Sequence, residues 1–393
     1  MQTVTGVDGS FEQFLVDKAS CMEVPIGANL ELIPICNMDC KMCYVRTDMR
    51  EVNRLGGLPD MEMWLQLGKE MKEMGTLFVL LTGGEPLLYP YFKEVYRFYH
   101  ELGFILTVNT NGTLIDEEWA DFFSHYPPRR LNITIYGKDN ETYHSLCSNP
   151  GGFNQLCRAV SLLQDRQLAI KLNCSLTVHN YEQWEELCRI AEAWDIPLDT
   201  AYYMMPPARK MTHTITDISS RSKIDEDKLL ALRKQHDNNR LSPELAAQAA
   251  WKILTMNMSE EQKKEYVKVK LEQVEHFQAE EYRPGYRCRA GNASFWVKWD
   301  GSMTACGMMG DKEYNIRQES LPILWAKLKK RTKHTCLSSA CVRCCLKPLC
   351  PSCAASEYTE HGEFGKEPKY LCHFAQAFLT ILLKKSQEFG GDL

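Results

Sequence analysis

The chain has 393 residues, 44% of them hydrophobic and 25% charged, with a net charge of -5. That length and apolar content describe a soluble protein with core enough for two domains, while the mild negative charge gives no basic footprint for nucleic acid. No run is long and apolar enough to span a bilayer and the N-terminus lacks signal-peptide order, so the expected compartment is the cytoplasm, with no membrane or nucleic-acid partner.

In chain order, the first 28 residues read as an N-terminal extension, too short for a separate recognition core. The apolar run Asn29 to Ile35 reads as a strand and leads into Cys36, Cys40, Cys43 and Tyr44, a Cys-x3-Cys-x2-Cys-aromatic cluster. Three thiolates are one too few for a closed four-iron cluster, so one iron would be free for a ligand that is not protein. A structural zinc knuckle with an outside fourth ligand is the bland alternative. The second strand, Thr76 to Thr82, ends in Gly83, Gly84, Glu85 and Pro86. Paired glycines let a backbone approach a ligand closely, and the adjacent carboxylate can accept hydrogen bonds from an ammonium group.

Further strands are expected near 104–109, 130–136, 169–177 and 196–204, with helices near 60–74, 90–102, 115–126, 152–167 and 181–194. Six such βα units imply an α/β fold with a parallel sheet across residues 29–210. Strand parity places Thr107, Asn109 and Asn111 on one face, and likewise Asn132 with Thr134 and Asn173 with Ser175. A closed eight-stranded barrel fills its interior with Val, Ile and Leu, so this polar lining points to a wider, partly open barrel around a polar ligand. Asn111, Asn132, Thr134, Asn173 and Ser175 are then cofactor or substrate contacts; one solvated sheet face is the alternative. Cys174 has the apolar parity of a packed thiol, and Cys21, Cys147, Cys157 and Cys188 lack ligand spacing and read as structural.

From 211 to 282, between Pro206-Pro207 and Pro284-Gly285, charged helix-forming sequence reads as a helical bridge packed on its neighbours. The last segment, 283–393, holds Cys288, Cys306, Cys336, Cys341, Cys344, Cys345, Cys350, Cys353 and Cys372, too dense for packing alone. In a chain without a secretion signal these are metal ligands rather than disulfides. Cys341-x2-Cys344 and Cys350-x2-Cys353 could by themselves clasp one zinc, which would strand Cys288, Cys306 and Cys372.

The cysteine triplet and glycine motif together resemble the radical S-adenosylmethionine superfamily. That resemblance implies a six-unit partial TIM-like barrel in which Cys36, Cys40 and Cys43 hold a four-iron cluster whose open iron chelates S-adenosylmethionine. It implies that Gly83, Gly84 and Glu85 bind the methionyl amino group, that Tyr44 lies near the adenine, and that the reaction releases a 5'-deoxyadenosyl radical that abstracts a substrate hydrogen. The C-terminal order, Cys288-x12-Gly301-x4-Cys306, then Cys341-x2-Cys344-x5-Cys350-x2-Cys353, then Cys372, resembles the SPASM extension with its two auxiliary four-iron clusters. By position, Cys341, Cys344, Cys350 and Cys372 would hold one, and Cys288, Cys306 and Cys353 the other. Its fourth ligand stays open between Cys336, Cys345 and a substrate thiolate. The spacing before Cys353 is two residues where the family commonly has three.

The resemblance implies a peptide or protein substrate and an external one-electron reductant of flavodoxin or ferredoxin type. Three reactions compete: cross-linking of a ribosomally made peptide, formylglycine formation in a sulfatase, and peptide epimerisation. Sulfatase-maturing relatives place an acidic base after the cysteine matching Cys306, where this chain has Gly307. Cross-linking, through a thioether or a carbon–carbon bond, is therefore the expectation. A separate leader-peptide-binding protein could supply the missing recognition core. Small-molecule dehydrogenation is a further enzymatic alternative; an iron–sulfur electron carrier or zinc scaffold is the non-enzymatic one. Phe295, Trp296 and Trp299 read as core aromatics or as a peptide-binding surface.

Overall fold

The structure is a computed structural model and describes residues 9–207, 226–310 and 313–390. Nine strands form one sheet in the order β6-β5-β4-β3-β2-β1-β7-β8-β9. They are β1 Gly27–Glu31, β2 Phe78–Thr82, β3 Ile105–Thr110, β4 Arg130–Thr134, β5 Ile170–Ser175, β6 Leu198–Ala201, β7 Ser294–Val297, β8 Ser302–Thr304 and β9 Tyr314–Asn315. Every pairing from β6 across to β7 is parallel, and β8 and β9 follow antiparallel. The six-unit partial barrel is therefore present, and the C-terminal part extends its sheet, because β7 lies beside β1 in the register Leu30–Val297.

Parallel strands need crossover helices, and the sequence marks where these begin. Asp60, Asp116 and Asp139 each accept the amide three residues on, at 3.0, 3.0 and 2.8 Å, and start the helices Met61–Glu73, Glu117–His125 and Asn140–Cys147. Leu106, Val108, Leu131, Ile133, Leu172 and Cys174 are buried under those helices, while Thr107, Asn109, Asn132, Thr134, Asn173 and Ser175 are half-buried on the opposite, inward face. Cys174 is thus packed as its parity requires.

Helices not expected from the sequence are Gly9–Met22, Met49–Arg54 and Asn140–Cys147 in the N-terminal part and Leu321–His334, Ser339–Arg343, Ala354–His361 and Lys369–Glu388 in the C-terminal part. In the bridge, helices Glu226–Asn239, Pro243–Thr255 and Glu260–Glu275 are present, and the last two pack on the terminal helix Lys369–Glu388. The expected start of the bridge near 211 lies outside the described residues. The exit of β6 also docks there: Tyr203 stacks on Tyr370 and Tyr202 on Phe374, with centroids 5.5 and 5.6 Å apart.

Candidate cluster and cofactor site

After β1 the chain leaves the ladder and is pinned on two sides. On one, the amides of Gly84 and Glu85 donate to the carbonyls of Ile33 and Ile35 at 2.6 and 2.8 Å. A Cβ on Gly83 or Gly84 would stand 2.4 Å from the Ile33 or Ile35 oxygen. The close approach that requires these glycines is thus to the chain's own cysteine loop, which they hold at the end of β2. On the other side, Asp39 and Lys41, flanking Cys40, donate their amides to the carbonyls of Cys147 and Leu146 at 2.9 and 3.0 Å. Those carbonyls end the helix Asn140–Cys147 and have no partner within it.

The three sulfurs have distinct surroundings. Cys36 accepts the Met38 amide at 3.4 Å and the Asn111 side-chain amide at 3.6 Å. Cys43 accepts the Arg46 amide at 3.2 Å. Cys40 is approached by two side chains, the Cys147 thiol and the Tyr136 phenol. Burial pushes the Cys36 thiol up to about 12, whereas the hydrogen bond from Cys147 holds Cys40 below the ordinary thiol value. A bound cation would supply the charge that burial withholds from Cys36.

Glu85 is fully buried. One carboxylate oxygen accepts the Thr110 hydroxyl at 2.7 Å and the Leu87 amide at 3.2 Å, and the other accepts the Asn111 amide at 2.8 Å. Burial pushes it up to about 7 despite those donors. Asn111 continues the network: its side chain donates to Asn37 at 2.9 Å and accepts from the Thr113 amide and hydroxyl at 2.9 and 2.7 Å. Glu85, Asn111 and Cys36 are therefore joined, while Thr134 faces Asn173 across the β4–β5 register, with Ser175 next along the inward face. Asn132 bonds Asn109 and Arg130 at 2.8 and 2.9 Å. Tyr44 is half-buried beside Cys43.

In the C-terminal part, Cys372 lies in electrostatic reach of Cys341, Cys350 and Cys344, and burial with these neighbours pushes it up to about 11. Cys353 is in similar reach of Cys288 and packs with Cys306 on a small apolar group around Met309, Ala354 and Ala355. Two groups of thiols are thus brought together. Cys336 and Cys345 are exposed, as are Cys288 and Cys344. Glu357 accepts the Ser338 amide at 3.1 Å and the Gly365 amide at 3.0 Å, one turn along the helix that Cys353 opens. Among the described residues no three Cys, His, Asp or Glu side chains converge as the ligands of one ion do. Four-iron clusters take cysteine thiolates, one to each iron, and thiols are the donors that these segments supply.

Four features escaped the sequence reading. Cys147, assigned a structural role, backs Cys40, and Tyr136 joins it. Asn37 couples to Asn111. Glu31, a charged residue inside an apolar run, is fully buried on the inward face and accepts the Trp296 indole at 3.4 Å. The aromatic trio divides, with Phe295 and Trp299 in the core and Trp296 half-buried against Gly307.

Residues 30–193 match the family described as the Radical SAM superfamily. The chain carries a radical SAM domain. Over 349 residues it is 22% identical to the AdoMet-dependent heme synthase of Methanosarcina barkeri, a match that covers 86% of this chain and 94% of that protein. It is 24% identical over 163 residues to the antilisterial bacteriocin subtilosin biosynthesis protein AlbA of Bacillus subtilis, covering 41% of this chain and 35% of AlbA. Streptococcus suis SuiB bound to its precursor peptide SuiA has the same fold, with a TM-score of 0.61 at 14% identity over 93% of this chain and 82% of SuiB. That likeness spans the radical SAM domain and the cysteine-rich C-terminal part. The protein is an enzyme of radical SAM chemistry, related both to peptide-modifying maturases and to heme synthases. Enzymes of this family use S-adenosylmethionine and a four-iron cluster.

Proposed function

We propose that this radical SAM enzyme removes a hydrogen atom from a peptide and installs a cross-link, either a thioether or a carbon–carbon bond. Cys36, Cys40 and Cys43 would hold the four-iron cluster, which with S-adenosylmethionine would supply a carbon-centred radical on reduction by a flavodoxin- or ferredoxin-type donor. Gly83 and Gly84 fix the cysteine loop, Glu85 and Asn111 orient Cys36, and Tyr44, Thr134, Asn173 and Ser175 border the cofactor. Residues 29–210 then form the catalytic barrel, 211–282 a bridge, 283–393 the auxiliary-cluster domain, and 1–28 an extension.

The observation that carries this reading is the continuity of the sheet from β1 to β7. Trp296 spans from Glu31 in the barrel to Gly307, the residue after Cys306. Joining two peptide atoms after hydrogen abstraction releases a proton and an electron, and an acceptor held by Cys288, Cys306 and Cys353 would stand beside the barrel wall. A second auxiliary cluster would be held by Cys341, Cys344, Cys350 and Cys372. Formylglycine formation fits less well, because the Trp296 ring fills the space that an acidic side chain at 307 would need.

A second reading, heme formation, is favoured by the length over which the heme synthase aligns. Against a polycarboxylate substrate, the barrel cations Arg130 and Lys171 are committed to Asn132 and Asp199. The test offers the anaerobically reconstituted enzyme a neighbouring gene's peptide and, separately, an iron tetrapyrrole. Loss of two hydrogens per 5'-deoxyadenosine supports cross-linking; carbon dioxide release from the tetrapyrrole with an unchanged peptide rejects it.

A further inference from the structure

The C-terminal part carries the opposite charge to the chain as a whole. Residues 283–393 hold 17 Lys and Arg against 10 Asp and Glu, in a chain of net charge -5. Such asymmetry makes a local positive field that favours an oppositely charged partner.

Part of the excess sits on one braced turn. Arg287, Cys288 and Arg289 are consecutive exposed residues. The turn is fixed from behind, because the Arg289 carbonyl accepts the amides of Asn292, Ala293 and Ser294 at 3.0, 2.8 and 3.0 Å, and the Asn292 side chain donates to the Cys288 carbonyl at 2.7 Å. Both of its ends lie on the end of the helix Leu321–His334: the Gly285 amide donates to the Thr335 carbonyl at 2.9 Å, and the Thr332 hydroxyl donates to the Gly291 carbonyl at 3.3 Å. The exposed side of that helix end adds Lys330, Lys333 and His334. Ion pairs take Lys333 to Glu23, Arg331 to Glu313 and Arg283 to Glu281, whereas among the described residues Arg287, Arg289 and Lys330 enter no ion pair. Arg289 lies in electrostatic reach of Glu12, which is itself paired with Arg129.

The middle residue of the turn belongs to the thiol group that Cys353 and Cys306 share. β7 begins directly after the turn and lies beside β1, so this group has the barrel wall on one side and the surface at Cys288 on the other. A phosphate backbone would need a continuous basic stripe, and Glu23, Glu281 and Glu313 interrupt this face. A small acidic redox protein needs only a few such charges, since transient electron-transfer encounters use small interfaces and are steered by charge.

We propose that Arg287, Arg289 and Lys330 form the docking face, centred on Cys288, for an acidic one-electron carrier protein of flavodoxin or ferredoxin type. The choice of a carrier rests on the cross-linking reading, and the location rests on the charges. In that reading the reduced carrier gives one electron for cleavage of S-adenosylmethionine, and hydrogen abstraction makes 5'-deoxyadenosine. The substrate radical then forms its bond with loss of one proton and one electron, and the oxidised carrier takes that electron back.

The test titrates the anaerobically reconstituted full chain, without substrate, with an oxidised flavodoxin of net negative charge and reads the dissociation constant from flavin fluorescence. Binding should weaken about tenfold or more between about 0.01 M and about 0.15 M salt, as the Debye length falls from about 30 Å to about 8 Å. The double variant Arg287→Glu with Arg289→Glu should weaken it about tenfold or more at the lower salt, and Lys330→Glu by less. Arg158→Glu, on the barrel helix Gly152–Asp165, should bind as the wild type does. Circular dichroism checks the fold, and should the double variant misfold, Lys330→Glu decides. Wild-type affinity in the folded double variant overturns the proposal, as does equal weakening in Arg158→Glu. Equal affinity for acyl carrier protein, which is acidic but has no redox group, or tighter binding of a DNA duplex, overturns the choice of partner. Substrate is absent throughout, so the outcome does not depend on whether a peptide is cross-linked.

Discussion

The Glu85 carboxylate accepts the backbone amide of Asn111 at 2.8 Å, and through it the glycine motif after β2 grips the residue whose side chain donates to Cys36. Two segments 26 residues apart thereby act on one thiolate. A carboxylate enclosed in this way is easier to bury protonated than ionised.

Glu85 should accordingly mark the pH dependence of the metal-free fold. Its native value of about 7 lies above the ordinary 4.5, so the folded state favours the protonated form. The associated stabilisation is full below about pH 4.5 and is lost as pH rises through about 7, amounting to a few kcal/mol at about 1.4 kcal/mol per unit. Urea midpoints of the apo protein between pH 5 and 8 should fall more steeply for the wild type than for Glu85→Gln. Parallel slopes would remove Glu85 as the source.

Asn111→Ala removes an amide that serves Cys36 and Asn37 and an oxygen that serves Thr113. Leaving such partners unsatisfied costs about 1–3 kcal/mol. The variant should melt lower and release iron to a chelator faster, whereas Asn132→Ala, which cuts a ladder away from the cysteine loop, should melt lower with normal iron retention.

Much of this architecture could be read from the sequence because its signals are local. Alternating Asn and Thr in the strand centred on Asn132 and Thr134 gives the inward face, and Asp60 and Asp116 mark helix starts, so the βα order is legible. The contacts that complete the site are not local. Trp296 of β7 reaches Glu31 of β1 from 265 residues away, and no spacing rule announces that pairing. The helix Asn140–Cys147 is only 8 residues long, and its meeting with residues 39–41 is made by backbone groups that any sequence carries. Cys147 lacks a motif for that reason. Strand ends were overextended because the apolar run after Glu31 continues past the ladder to reach Gly83 and Gly84.

Gly307 should resist substitution. A Cβ there would lie 2.7 Å from the Trp296 ring, so Gly307→Asp must displace an indole that bonds Glu31. Overpacking of this kind costs about 1–3 kcal/mol. The expected result is a lower melting temperature, altered tryptophan fluorescence and no formylglycine on a cysteine peptide. Normal stability with formylglycine formation would return the sulfatase reading to first place.

The cysteines of the C-terminal part should separate by iron count. Cys372 faces Cys341, Cys344 and Cys350 from the terminal helix, so Cys372→Ser should remove a ligand that closes one cluster and lower iron by about four per chain. Cys345 is exposed and is not one of the thiols that act on Cys372, so Cys345→Ser should keep its iron. Because Cys372 lies on the helix against which Pro243–Thr255 and Glu260–Glu275 pack, its loss should also loosen the bridge. Amide exchange in those two helices should then rise in Cys372→Ser and stay at the wild-type rate in Cys345→Ser. Equal iron in the two variants would assign the closing ligand elsewhere.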